Sequence, residues 1–259
     1  MTAASERVLH VDDPFRGDTA CTVPLAGDRE VNACLEAARA AAKAFRQAPL
    51  RERVALAERM VAALESSKDS VARDLARMMG KPVSQGEGEV NGAAGRARHM
   101  MSIAEAGLAD IVLPSPEGFT RRIRKEPLGV VLDLPAWNYP LLTAVNVVLP
   151  ALLAGNAVVV KHSPRSPLAG EHFARAFRDA GAPAGLVQAL HADYPTTERM
   201  VADPRVDHVV YTGSVTGGHR IQSAASGKFM HVGLELGGND AAYVAPDCDF
   251  DKTVENIVD

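Results

Sequence analysis

Apolar residues recur three and four positions apart through much of the first hundred residues, and that spacing predicts helices. Asp28 to Ala48 is rich in alanine with an apolar stripe, and Pro49 ends it. Helical spacing resumes at Leu50 and continues through RERVALAERMVAALESS and KDSVARDLARMM, with Gly80-Lys81-Pro82 as the stop. A third helical segment runs from about Gly86 to Gly107. Around Leu108 to Pro127 the pattern becomes an alternation of apolar and charged residues about a Ser-Pro-Glu-Gly turn, which predicts a β-hairpin. From Gly129 short apolar runs alternate with helical segments. Strands are expected at Val130–Asp133, Ala157–Lys161, Leu186–Leu190, Asp207–Tyr211 and Phe229–Leu236. Helices are expected from Pro140 to about Gly155, from Ser163-Pro164-Arg165-Ser166-Pro167 to about Gly181, and from Val215 to Ala225. This alternation indicates an α/β fold with a mostly parallel sheet and helices on both faces, preceded by a helical N-terminal region.

The chain has 259 residues, the size of one large domain or two smaller ones, and 47% of them are hydrophobic. The net charge is −4, without a basic stripe, which argues against nucleic acid as a partner. Tyr139 to Val160 carries no charge, but Pro140, Asn146, Pro150, Gly155 and Asn156 divide it. A strand–helix–strand core unit explains that punctuation better than a bilayer does, so no membrane is expected. The N-terminus, MTAASERVLHVDD, has no apolar leader-like run. The three cysteines, Cys21, Cys34 and Cys248, are odd in number and far apart, which fits a reducing, cytoplasmic setting.

In parallel sheets, ligands bind beyond the carboxyl ends of the strands. Trp137-Asn138 follows the first strand, Lys161-His162-Ser163 the second, Gly213-Ser214 the fourth, and Glu235-Leu236-Gly237-Gly238 the fifth. An amide, a cation, a helix entry and a carboxylate therefore converge on one edge. Each also has a plain structural reading. Asn138 suits a helix N-cap and Trp137 a core anchor. Lys161 suits a solvated strand end, Gly213-Ser214 a helix start, and Glu235 an ion pair. Glycine-rich dinucleotide and P-loop signatures are absent, as is the His-Glu-x-x-His pattern, and the eight histidines have no metal-ligand spacing, so no metal is expected.

Taken in order, EPLGVV, PAWNYPLL, PALLAGNAVVVK, YTGSVTGG and LELGGND resemble the NAD(P)-dependent aldehyde dehydrogenases, and the earlier ARMMGKP resembles the same family. The resemblance implies a Rossmann-like sheet within an incomplete aldehyde dehydrogenase fold. Residues 1–107 and 128–237 correspond to a coenzyme-binding domain, 108–127 to an oligomerisation hairpin, and 238–259 to the start of a truncated catalytic domain. It implies NAD or NADP as cofactor, an aldehyde as substrate, and a homodimer or homotetramer for the full-length protein. Asn138 matches the amide that binds the thiohemiacetal oxyanion, and Glu235 the base that activates water. Lys161 matches the side chain on the adenosine ribose, Trp137 an aromatic wall, and Gly213 and Ser214 the turn near the pyrophosphate. Ser163, Gly218 and Leu236 are assigned to the same cradle. Pro164 stands where many NAD-preferring members have glutamate, and Asn239 where lysine is common.

Family members attack with a cysteine that lies beyond the helix beginning here near Asp249. The chain is therefore expected to lack the nucleophile and to be inactive alone, with Cys248 an inert thiol. Two other readings remain: a non-catalytic nucleotide-binding or subunit-pairing module, and a CoA-acylating aldehyde dehydrogenase, which does not need the base at Glu235.

Overall fold

The chain opens with an antiparallel hairpin, β1 (Val8–Asp12) and β2 (Thr19–Pro24), where the sequence reading placed only helix. Cys21 therefore lies on a strand. The signal was a turn. The carboxylate of Asp13 accepts the backbone N–H groups of Phe15 and Arg16 at 3.0 and 3.1 Å, an Asx-type turn that closes the hairpin. The computed structural model describes residues 7–258. Met1–Glu6, the first part of the stretch read as lacking a leader, and Asp259 lie outside the described residues.

Four helices follow: α1 (Asp28–Phe45), α2 (Leu50–Ser66), α3 (Lys68–Met79) and α4 (Val83–Leu108). The stretch from Leu50 to Gly80 is thus two helices. The break falls at Ser67, whose N–H and hydroxyl both turn back to the carbonyl of Leu64. Gly80 ends α3 in the left-handed conformation, φ 71°, which glycine adopts without a Cβ clash. The hairpin β3 (Ile111–Leu113) and β4 (Arg121–Ile123) then stands out from the body with all six residues exposed.

The remaining elements are β5 (Val130–Leu134), α5 (Pro140–Leu153), β6 (Ala157–Val160), α6 (Leu168–Asp179), β7 (Val187–Ala189), α7 (Tyr194–Ala202), β8 (His208–Thr212), α8 (Val215–Ala225), β9 (Val232–Glu235) and α9 (Phe250–Val258). The five strands pair in parallel in the order β7-β6-β5-β8-β9. Sequence reading missed α7. It is short, and its start depends on Asp193, whose side chain accepts the N–H of Thr196 at 2.9 Å.

Every residue of β5 and β6 is buried. Helices α1 and α5 both pack on β6, so this strand is covered on both faces and reads as an unbroken apolar run. The apolar segment from Tyr139 to Val160 is therefore α5 and β6. Among the described residues, no helix is long and apolar enough to cross a membrane. Beyond β5 the chain first winds outward through β6 and β7. It then returns to place β8 on the other side of β5, so the strand order reverses between β5 and β8. A crevice at such a reversal, outside the carboxyl ends of the strands, is where this architecture binds ligands.

Candidate functional site

A cleft of about 570 Å³ opens at that reversal. Of the residues singled out from sequence, Trp137, Lys161, Ser163, Gly213 and Ser214 line it, and so does Pro164. Lys161 follows β6 directly, and its backbone N–H still bonds the carbonyl of Asp133 at 2.9 Å, which keeps it in register with the sheet. Its side chain is only 6% exposed, so it is not a solvated strand end. Burial pushes its ammonium down to about 8, with Asp193 opposing the shift. Among the described residues its Nζ has no hydrogen-bond partner; it lies over the face of Tyr194, with the ring centroid 5.7 Å away. A buried ammonium costs free energy unless something pairs with it. Its exposed end faces the cleft.

Two further cations flank the opening. The Arg165 guanidinium lies 5.2 Å from the Trp137 ring, and that of Arg220 lies 5.1 Å from the Tyr194 ring. Arg220 is also paired with Glu198 at 2.6 Å. Ser214 is the N-cap of α8 and accepts the N–H of Gly217 at 3.1 Å. The first N–H groups of α8, at Val215 and Thr216, point out of the helix with no intrahelical acceptor, and the helix dipole favours an anion there.

The glycines of the α8 turn have a steric reason of their own. A Cβ on Gly213 or Gly217 would lie 2.4 or 1.9 Å from the Tyr211 hydroxyl, so they make room for that ring. A Cβ on Gly218 would lie 2.7 Å from Leu236 Cδ2. Gly218 and Leu236 thus pack against each other, and neither lines the cleft.

Asn138 and Glu235 also lie outside the cleft lining, and both are exposed. Asn138 does not cap α5: the N-cap position belongs to Tyr139. Its backbone carbonyl accepts Lys81 Nζ at 2.9 Å, and its side-chain amide has no partner among the described residues. Glu235 ends the edge strand β9. Residues 235–244 are exposed, so nothing packs over the strand end and this carboxylate is open to water. The carbonyl of Glu235 accepts the N–H of Gly213 at 2.9 Å, which ties the ends of β8 and β9 together.

No cysteine lines the cleft. Cys34 is buried in α1, and burial pushes its thiol up to about 11. The Cys21 thiol is pushed up by burial, with Asp74 adding to the shift and Arg77 opposing it. Cys248 sits half-buried in the turn before α9.

Sequence reading missed Tyr194, Thr197, Glu198 and Arg220, which reach the cleft from α7 and α8. No spacing marks them, since the turns that bring them in are tertiary. In sum, the cleft offers aromatic faces, a buried cation without an internal partner, hydroxyls and a helix N-terminus. That set suits a flat, polyanionic ligand such as a dinucleotide.

Comparison with known proteins agrees with this architecture. The model of the aldehyde dehydrogenase family matches residues 1–259. The chain is 34% identical over 257 residues to 3,6-anhydro-alpha-L-galactose dehydrogenase of Streptomyces coelicolor, covering 99% of this chain and 52% of that protein. It is 32% identical over 254 residues to succinate-semialdehyde dehydrogenase (NADP(+)) of Deinococcus radiodurans, covering 98% and 53%. Among solved structures, succinic semialdehyde dehydrogenase from Streptococcus pyogenes in complex with NADP+ superposes with a TM-score of 0.90 at 29% identity, covering 95% and 54%. The chain spans about half the length of the relatives it matches. With the family model matched from end to end, this chain belongs to the aldehyde dehydrogenase family.

Proposed function

We propose that this chain is the coenzyme-binding portion of an NAD(P)-dependent aldehyde dehydrogenase, which oxidises an aldehyde to its carboxylic acid. The observation that carries this reading is Lys161: a buried ammonium with no internal partner, open to a cleft at the reversal of the strand order. A dinucleotide fits these residues. Lys161 and Ser163 would hold the adenosine ribose, the N-terminus of α8 behind Ser214 would face the pyrophosphate, and Trp137 would wall the site. When bound, the nicotinamide supplies the hydride acceptor. Asn138 contributes an amide N–H without an internal partner to a developing oxyanion, and Glu235 a water-accessible carboxylate as base.

The same reading divides the chain into a coenzyme-binding domain at 1–107 and 128–237, an oligomerisation hairpin at 108–127 and the start of a catalytic domain at 238–259. It makes the whole protein a cytoplasmic homodimer or homotetramer, and the exposed Ile111, Val112, Leu113 and Ile123 of the hairpin support the subunit contact. A second reading, a nucleotide-binding module without chemistry, is favoured by one observation: no cysteine lines the cleft.

Pro164 lines the cleft where a carboxylate would repel a 2′-phosphate, and Arg165 adds positive charge beside it. NADP is therefore accepted at least comparably to NAD. Calorimetric titration of the chain with each dinucleotide tests this. A preference for NAD beyond about 100-fold, some 2.7 kcal/mol, contradicts it.

A further inference from the structure

The loop that carries Trp137 and Asn138 is held from behind by a pair of charges that lies outside the cleft. Glu89, on α4, is 3% exposed. One carboxylate oxygen accepts Lys81 Nζ at 2.5 Å; the other accepts the N–H of Leu141 at 2.8 Å, with that of Leu142 at 3.5 Å. Helix α5 has no side-chain cap of its own, and its first residue, Pro140, has no N–H to offer. Glu89 therefore caps α5 from a different helix, placing a carboxylate on the positive end of the dipole. Lys81, set by the Gly80 turn, holds the other side of the same bend. Its Nζ also donates to the carbonyl of Asn138 at 2.9 Å and lies 3.9 Å from the centroid of the Tyr139 ring.

We propose that Lys81 and Glu89 are positioning residues, which together fix the backbone of the Trp137–Asn138 bend against α5. The pair grips both ends of that bend: the carbonyl of residue 138 and the N–H of residue 141. Neither residue lines the cleft, so neither touches the ligand. That a fixed bend serves aldehyde oxidation rests on the function proposed above for Asn138; the clamp itself does not. A buried pair of this kind contributes little net stability against an apolar replacement, but removing one partner leaves the other uncompensated. Its specific effect is to suppress local opening of the bend.

Trp137 is the only tryptophan in the chain and reports on this bend. Acrylamide quenching of its emission is measured for the parent and for Lys81→Met, Glu89→Gln, Lys81→Arg and Asn138→Ala. Lys81→Met and Glu89→Gln are expected to raise the quenching constant roughly two- to threefold below the unfolding transition. Lys81→Arg, which keeps the charge, should restore most of the protection. Asn138→Ala keeps the carbonyl that Lys81 holds and should match the parent. This separates the clamp from any role of the Asn138 side chain, whose failure would leave the quenching series unchanged. Parent-like quenching in folded Lys81→Met and Glu89→Gln overturns the proposal. Should both variants fail to fold, amide exchange in the unaltered chain decides. Protection of the Leu141 N–H well above that of the exposed bend supports the clamp, and exchange as fast as the bend overturns it.

Discussion

Lys161 was visible in the sequence as the polar residue closing an apolar strand, but its burial was not. The shift of its ammonium to about 8 has a consequence for binding. A lysine with a lowered value loses its charge as pH rises through 8, so affinity for a phosphate-bearing ligand falls there. The dissociation constant of NADP should rise roughly five- to tenfold between pH 7 and pH 9, and Lys161→Met should flatten the profile while weakening binding throughout. A flat profile in the parent would show that Lys161 does not contact the ligand. Asp133 is the opposite case: a carboxyl 1% exposed inside β5, with Oδ2 unpartnered, which burial pushes well above the usual range. The native state keeps this proton longer than the unfolded chain does. Its contribution to stability therefore falls as pH rises from the ordinary carboxylate range toward the native value. Asp133→Asn should gain on the parent in denaturant unfolding as pH is raised from 4.5 to 8. A gap that does not change with pH contradicts this. His162, which burial pushes down to about 4, contributes with the opposite sign, and its effect cancels in the comparison.

Among the elements, those defined by long periodicity were legible: α1, α4, α5, and the strands of the parallel sheet, whose unbroken apolar runs follow from cover on both faces. The first hairpin, α7 and the break at Ser67 were not. Each is short and set by one hydrogen-bonded side chain, Asp13, Asp193 or Ser67, and helical spacing carries no mark of these. The capping of α5 by Glu89 was illegible for a related reason, since the residues involved are far apart in sequence. Helix contacts hid another constraint. A Cβ on Gly86 of α4 would lie 2.9 Å from the backbone Cα of Ala72 on α3. Backbone cannot swing aside as a side-chain tip can, so the two helices must separate. Gly86→Ala should lower stability by about 1–3 kcal/mol, read as a fall in the denaturant midpoint with unchanged slope. An unchanged midpoint would show that α3 and α4 tolerate the shift.

For the molecule as a whole, the order of the strand ends put the candidate residues on one edge from sequence alone, and the reversal between β5 and β8 explains why that edge forms a cleft. Exposure was not legible, because whether Glu235 is covered depends on what packs over an edge strand. The three cysteines, none of them on the cleft, lead to a prediction at this scale. Purified chain with NAD or NADP and a panel of short, branched and aromatic aldehydes should form no NAD(P)H above background. A site that works as a unit loses most of its rate without its nucleophile. Turnover abolished by Cys248→Ser would assign that role to Cys248. The central claim, a dinucleotide site in the cleft, is tested most directly by titrating the folded, monodisperse chain with NADP and with NAD while following Trp137 emission. The account predicts a saturable change with at least one of them, weakened at least roughly tenfold by Lys161→Met. No response from either dinucleotide at millimolar concentration would contradict it.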